Sequence, residues 1–184
     1  MKLFILILVF FVFSFNSNAS IKNNIIENLK VIDNFTFNFN QTIGDTDEKG
    51  VCTISYPKKI YCKYNYDFNK VLVSNGKSLV IKNDKNKQYY RYPLESTPLI
   101  LLLDKKYILN KISTLDEQLI DGKFYMFKIE ENDNLINIFF EKNSLKLIGW
   151  QTEDIYQNLS VTFIYNLVIN EDINEKIFKL PEMY

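Results

Sequence analysis

Histidine is absent from all 184 residues. With it go the commonest general base, the usual activator of a nucleophile and the most frequent metal ligand. Glycine numbers five, and neither a P-loop nor a dinucleotide-binding glycine pattern occurs; nor does the G-x-S-x-G turn of serine hydrolases. Cysteine numbers two, and two thiols without histidine make no metal site. Net charge is zero, with 22 basic against 22 acidic residues, so nothing favours nucleic acid or an anionic surface as a general partner. Arg91 is the sole arginine, while Asn, Lys, Ile, Phe and Tyr abound. A bias that broad touches every position, so single Asn or Lys residues carry little information. Adjacent acids such as Asp116-Glu117, Glu130-Glu131 and Glu153-Asp154 fall at turns or strand ends, where solvated surface is the expected role. These residues point to no enzyme, no cofactor and no metal.

What is present is apolar surface. Hydrophobic residues make up 47% and aromatics 15%, enough for one domain with a sizeable core. Lys2 followed by the unbroken apolar run Leu3–Phe13 and the small residues of Ser17-Asn18-Ala19 has the form of a signal peptide over residues 1–19. Cleavage is expected before Ser20, leaving one exported, soluble domain over 20–184. No cysteine near residue 20 offers a site for lipidation. Cys52 and Cys62 sit in the apolar register of two neighbouring strand segments, about a turn at Pro57-Lys58. That register suits a cross-strand disulfide in an oxidising compartment; two buried free thiols fit it equally.

The segment Gln88–Leu103 organises the reading of the rest. Tyr90 and Tyr92 alternate with Tyr89 and Arg91 as in a strand, which Pro93 ends. Ser96 or Thr97 is placed to cap a helix with Pro98 at its first position. Leu99, Ile100, Leu101, Leu102 and Leu103 then cover every side of that helix, leaving no face for water. The run is too short to span a bilayer, so it is expected to sit inside something. Ahead of it, Ile25, Ile26, Leu29 and Ile32 mark an amphipathic helix over Ile21–Val31. Phe35, Phe37 and Phe39 mark a half-buried strand, and Asp45–Lys49 reads as a polar loop. Val51–Tyr56 with Ile60–Tyr66, and Val71–Ser74 with Leu79–Asn83 across Asn75-Gly76, read as hairpins. Tyr107–Ile112 fits a helical turn or a loop. After residue 114 the pattern predicts strands at Leu115–Ile120, Phe124–Glu130, Leu135–Glu141, Leu145–Glu153 and Leu159–Leu167. Their separators are Asp121-Gly122, Asn132–Asn134 and Lys142–Ser144. Ile177–Pro181 closes the chain as a strand or hook.

An antiparallel sheet this long curls. With one apolar face it leaves a concave interior, and only Leu99–Leu103 and the first helix are apolar enough to fill it. The expected fold is therefore α+β: an incomplete, half-open antiparallel β-barrel with a helical lid or plug on its concave face. A greasy hollow in an exported protein implies a carrier. Burying an acyl chain of about sixteen carbons, at roughly 0.8 kcal/mol per methylene, yields on the order of 12 kcal/mol.

Several motifs occur in one order along the mature chain. They are Phe37-Asn38-Phe39-Asn40-Gln41, Gly50 seven residues before Pro57, and Pro57-Lys58-Lys59-Ile60-Tyr61-Cys62-Lys63-Tyr64. Val71-Leu72-Val73-Ser74-Asn75-Gly76-Lys77-Ser78-Leu79 follows, then Arg91-Tyr92-Pro93-Leu94 with Thr97-Pro98-Leu99, and finally Phe178 with Pro181. In this the chain resembles the outer-membrane lipoprotein carrier family, LolA, in its alphaproteobacterial form. The resemblance implies a monomeric periplasmic chaperone without catalysis. It would accept triacylated lipoproteins from an inner-membrane ABC transporter and bring them to the outer membrane, to an acceptor where one exists. The cavity liners it implies are Leu99, Leu102 and Leu103 on the plug, with Ile54, Ile60, Tyr64, Val73 and Val80 on the sheet. Family members often carry an arginine before the second-strand proline that latches the lid. Here Tyr56 stands there, facing the first helix at Leu29 or the plug near Leu102, and a single hydroxyl donor implies a weaker latch. A carrier or sensor of another amphiphile, such as a glycolipid, shares all these features.

Overall fold

In the computed structural model, residues 20–65, 70–131, 134–153 and 158–184 are described. The expected signal peptide, Tyr66, the Asn132-Asp133 turn and Asp154 lie outside them. Helix α1, Ile21–Lys30, opens on Ser20, whose hydroxyl accepts the Asn23 N–H at 3.2 Å, and buries Ile25 and Leu29. Strand β1, Asn34–Ile43, buries Phe35, Phe37 and Phe39 on one side. β2, Thr46–Ser55, runs back from a tight turn at Gly44-Asp45, where Gly44 takes φ +55°. The polar stretch Asp45–Lys49 is thus strand from Thr46 onward and not a loop: Asp47, Glu48 and Lys49 pair with Thr42, Gln41 and Asn40.

β3 (Lys59–Asn65), β4 (Lys70–Asn75), β5 (Ser78–Asn83) and β6 (Gln88–Pro93) continue the meander. A short 3-10 turn, Leu94–Ser96, leads into α2, Leu99–Leu103. The hydroxyls of Ser96 and Thr97 do not cap that helix. They donate backward to the carbonyls of Pro93 and Leu94, each at 2.8 Å. After an extended Asp104, α3 occupies Lys105–Thr114, with the Asp104 carboxylate accepting the Tyr107 N–H at 3.1 Å. Tyr107–Ile112 is therefore helical. Leu115 caps its end, which shortens the next strand, β7, to Gln118–Ile120.

β8 (Phe124–Glu131), β9 (Asn134–Glu141), β10 (Leu147–Glu153) and β11 (Leu159–Ile169) complete the sheet. A second 3-10 turn, Glu175–Phe178, buries Phe178 near the chain end. The eleven strands form one antiparallel sheet in the order β6-β5-β4-β3-β2-β1-β11-β10-β9-β8-β7. β6 and β7 are not paired with each other, so the barrel stays open. The first and last strands are neighbours at its middle. Helices α1 and α3 pack on each other, and with α2 they cover the concave face. The main core gathers Phe37, Ile54, Ile60, Phe127, Ile138 and Phe140 from the sheet with Ile25, Leu102, Leu103 and Ile112 from the helices.

Candidate functional site

The strand period places alternate residues on opposite faces, and the pairing register sorts them. Cys52 stands opposite Cys62, Cys62 opposite Leu72, Leu72 opposite Ile81 and Ile81 opposite Tyr90. These residues share the concave side and border a cavity of about 510 Å³. Phe39 and Trp150 line it from the sheet, and the segment Ser96–Leu99 lines it from the lid. Tyr90 and Tyr92, stacked at 6.5 Å between ring centroids and about 40% exposed or more, form part of its rim. The lining is mostly apolar, and the volume falls within the roughly 300–1,000 Å³ of small-ligand sites. Cys52 and Cys62, both in the wall, are joined by a disulfide across the β2–β3 pair.

Of the residues expected to line a cavity, Leu99, Ile60 and Tyr64 do so. Leu102, Leu103 and Ile54 lie on the same side but are closed into the core at 1%, 0% and 0% exposure. The C-terminal half of the plug fills one part of the trough, and the cavity is the part it leaves.

Val73 and Val80 require a correction. They pair with each other, and with Tyr61 and Arg91, on the opposite, convex face. They are buried all the same, at 2% and 0%. The chain end crosses this face: the 3-10 turn carrying Phe178 packs on β3 and β4, the Lys59 ammonium lies 5.8 Å from the Phe178 ring centroid, and the Tyr89 hydroxyl donates to the Pro181 carbonyl at 3.3 Å. The sheet is thus apolar on both sides at β4 and β5.

The lid is held by three lysines that the sequence reading passed over. The Lys58 N–H donates to the Leu103 carbonyl at 2.8 Å, and its ammonium lies 3.5 Å from the Asp104 carboxylate. The Lys105 ammonium donates to the carbonyls of Lys30 at 3.1 Å and Ile32 at 2.8 Å and meets the Asp33 carboxylate at 3.2 Å. The junction it grips is fixed to the barrel wall, because the Asp33 carbonyl accepts the Tyr56 N–H at 2.9 Å. The Asp33 N–H in turn donates to the Asn170 side chain at 2.8 Å. Farther along α3, Tyr107 and Lys111 reach the Glu131 carboxylate at 3.0 and 2.7 Å. These bonds hold the Glu131 carboxyl below the usual carboxylate range, and the same carboxylate raises Lys111. Tyr56 contributes its ring, not its hydroxyl: it packs 6.0 Å from Phe35 and lies under the Lys105 ammonium at 5.6 Å. Among the described residues the hydroxyl has no hydrogen-bond partner, and burial pushes its pKa up. Leu29, on α1, packs into the hydrophobic core.

A family model described as outer membrane lipoprotein carrier protein LolA matches residues 22–181. No curated protein matches the chain. Among solved structures, an uncharacterized conserved protein from Thermus thermophilus gives a TM-score of 0.51 at 6% identity, over 88% of this chain and 93% of that one. A LolA superfamily protein from Nitrosomonas europaea gives 0.46 at 11% identity, over 86% and 97%. MucB gives 0.48 at 9% identity, over 90% and 63%. At such identities the Thermus match speaks for the fold and nothing narrower.

Proposed function

The chain belongs to the LolA family, and we propose that it is a periplasmic chaperone that takes the acyl chains of lipoproteins into its cavity and carries them toward the outer membrane. The carrying observation is the apolar hollow of about 510 Å³ between the curved sheet and the plug. A methylene is about the size of a water molecule, whose share of volume is roughly 30 Å³. The resting cavity therefore suits about one long acyl chain. A triacylated cargo needs about three times that room, and α2 is the element whose withdrawal supplies it. Leu101, Leu102 and Leu103 then trade places with cargo, apolar surface for apolar surface, so the part of the trough beneath α2 stays covered in both states.

Further support comes from the wall. The Cys52–Cys62 disulfide suits an oxidising compartment outside the cytoplasm, in keeping with an exported chain whose residues 1–19 serve as signal peptide and whose single domain spans 20–184. On this reading the protein acts as a monomer, without catalysis. It receives cargo from an inner-membrane ABC transporter and hands it to an outer-membrane acceptor where one is present.

The test is depletion of the protein followed by separation of inner and outer membranes. Lipoproteins should accumulate in the inner membrane; an unchanged distribution refutes the carrier role. Purification from the periplasm separates the alternatives: acylated protein cargo supports the lipoprotein carrier, while extractable free lipid with no protein cargo supports a carrier of another amphiphile.

A further inference from the structure

One part of the cavity breaks the apolar pattern. Tyr64, Gln41, Ser160 and Thr162 line it together. The Tyr64 hydroxyl donates to Gln41 Oε1 at 3.3 Å, and the Gln41 amide donates to Ser160 Oγ at 3.2 Å and Thr162 Oγ1 at 3.0 Å. The register brings them together, since Gln41 stands opposite Thr162 on one side and opposite Glu48 on the other.

The protons of this cluster can be counted. Tyrosine, serine and threonine carry one hydroxyl proton each, and the amide carries two. The three contacts use three of these five protons. Turning the amide over changes which three are used, not how many. Two protons are left without an acceptor, and none is supplied to them among the described residues. Glu48, the carboxylate across from Gln41, is paired with the Lys70 ammonium at 2.7 and 2.6 Å, and among the described residues no group of the cluster hydrogen-bonds to it. Burial first, and then the charge of Glu48, push the Tyr64 hydroxyl up, so it remains a proton donor. Thr162 is 3% exposed, and a buried donor without an acceptor is costly to leave unmet. The wall here keeps two protons to offer a bound molecule, beside the spare lone pairs of its hydroxyl oxygens.

We propose that this cluster is a carbonyl-reading subsite, which takes the ester or amide carbonyl oxygen at the head of a bound acyl chain and so sets how far the chain enters. The inference rests on the cavity being the acyl-binding site argued above. A carbonyl oxygen has two lone pairs, enough to accept both spare protons. A hydrocarbon end brings none. Beyond the cluster, Cys62, Leu72, Leu79 and Ile81 continue the lining for the chain itself.

The experiment is displacement of a fluorescent polyene from the purified protein by three probes of equal non-hydrogen atom count: methyl laurate, N-methyl lauramide and pentadecane. The quantity read is the affinity for each carbonyl probe divided by that for pentadecane. Loss of one neutral hydrogen bond corresponds to about a fivefold change. That ratio should fall about fivefold in Thr162→Val and stay near the wild-type value in Thr162→Ser. Ser160→Ala, at a half-buried position, should lower it as well and serves if Thr162→Val does not fold. A fall for the ester alone, or the amide alone, supports the subsite and identifies which carbonyl it reads. Ratios unchanged in Thr162→Val, or in Ser160→Ala where it is the variant that folds, overturn the subsite while leaving the acyl cavity standing. Failure of the polyene and all three probes to bind removes the acyl-cavity reading itself.

Discussion

Replacing Lys105 with Met removes the ammonium that ties the lid to the barrel wall and keeps an apolar stem of similar length. That ammonium donates to two carbonyls, of Lys30 and Ile32, and faces the Asp33 carboxylate. The Asp33 side chain is 84% exposed, so the ion pair itself contributes little. The two carbonyl bonds, at about 1 kcal/mol each, come to roughly 2 kcal/mol. Removing them raises the open-lid population about thirtyfold. A ligand that binds the open form sees its apparent affinity rise with the competent fraction, up to the same factor. Titration of a fluorescent polyene into wild-type and Lys105→Met protein, with stopped-flow uptake alongside, measures both quantities. The expected result is tighter apparent binding and faster uptake, each by about tenfold or more, with a melting temperature lower by about 4–8 °C. Equal affinity and equal uptake rate in a folded variant refute the latch.

Tyr56→Phe removes a hydroxyl that bonds to none of the described residues, so stability should stay within about 0.5 kcal/mol of wild type by thermal melt, with uptake unchanged. A lid effect as large as that of Lys105→Met would return the latch to Tyr56. Reducing the Cys52–Cys62 bond, which closes a loop of sequence separation 10, should cost about 2.5–3 kcal/mol in the chain-entropy model and roughly 5–10 °C in melting temperature; melts with and without reductant measure this. The Glu131 carboxyl is held low by Lys111 and Tyr107. Its contribution is therefore fully present above the ordinary carboxylate range and is lost as pH falls through the depressed value. Lys111 is raised, so its share is present below the ordinary lysine range and is lost as pH rises through the elevated value. Lid closure, read by polyene uptake, should be flat across neutral pH and loosen in acid, and Glu131→Gln should remove that acid dependence.

Strands with one apolar face are easy to read. Phe35, Phe37 and Phe39 alternate with polar residues, Asn75-Gly76 turns a hairpin, and both patterns are local. Val73 and Val80 fall on the face opposite to the expected one for a physical reason. Val71-Leu72-Val73 and Leu79-Val80-Ile81 are continuous apolar runs, which signal burial on both faces without saying what covers each. The cover on the convex side comes from Phe178, about a hundred residues away in the chain. Lys105 is hidden by composition: in a lysine-rich chain nothing marks the one whose ammonium reaches the end of a helix. The Gln41 cluster is illegible because its partners, Ser160 and Thr162, join it only through the β1–β11 pairing. The plug itself is legible, because five consecutive large apolar residues admit no other placement; that its far half is sealed rather than lining is not.

The meeting of β1 and β11 at the middle of the sheet has a consequence for how the chain comes to be made. Ribosomes deliver β1 more than a hundred residues before the partner that completes it. Until β11 arrives, β1–β6 and β7–β10 are two unjoined leaves, each with an unsatisfied seam. Closing so long a loop is slow and entropically costly. On the proposed export route, the nascent polypeptide is thereby kept from locking shut early, the condition a secretory channel that threads extended chains requires.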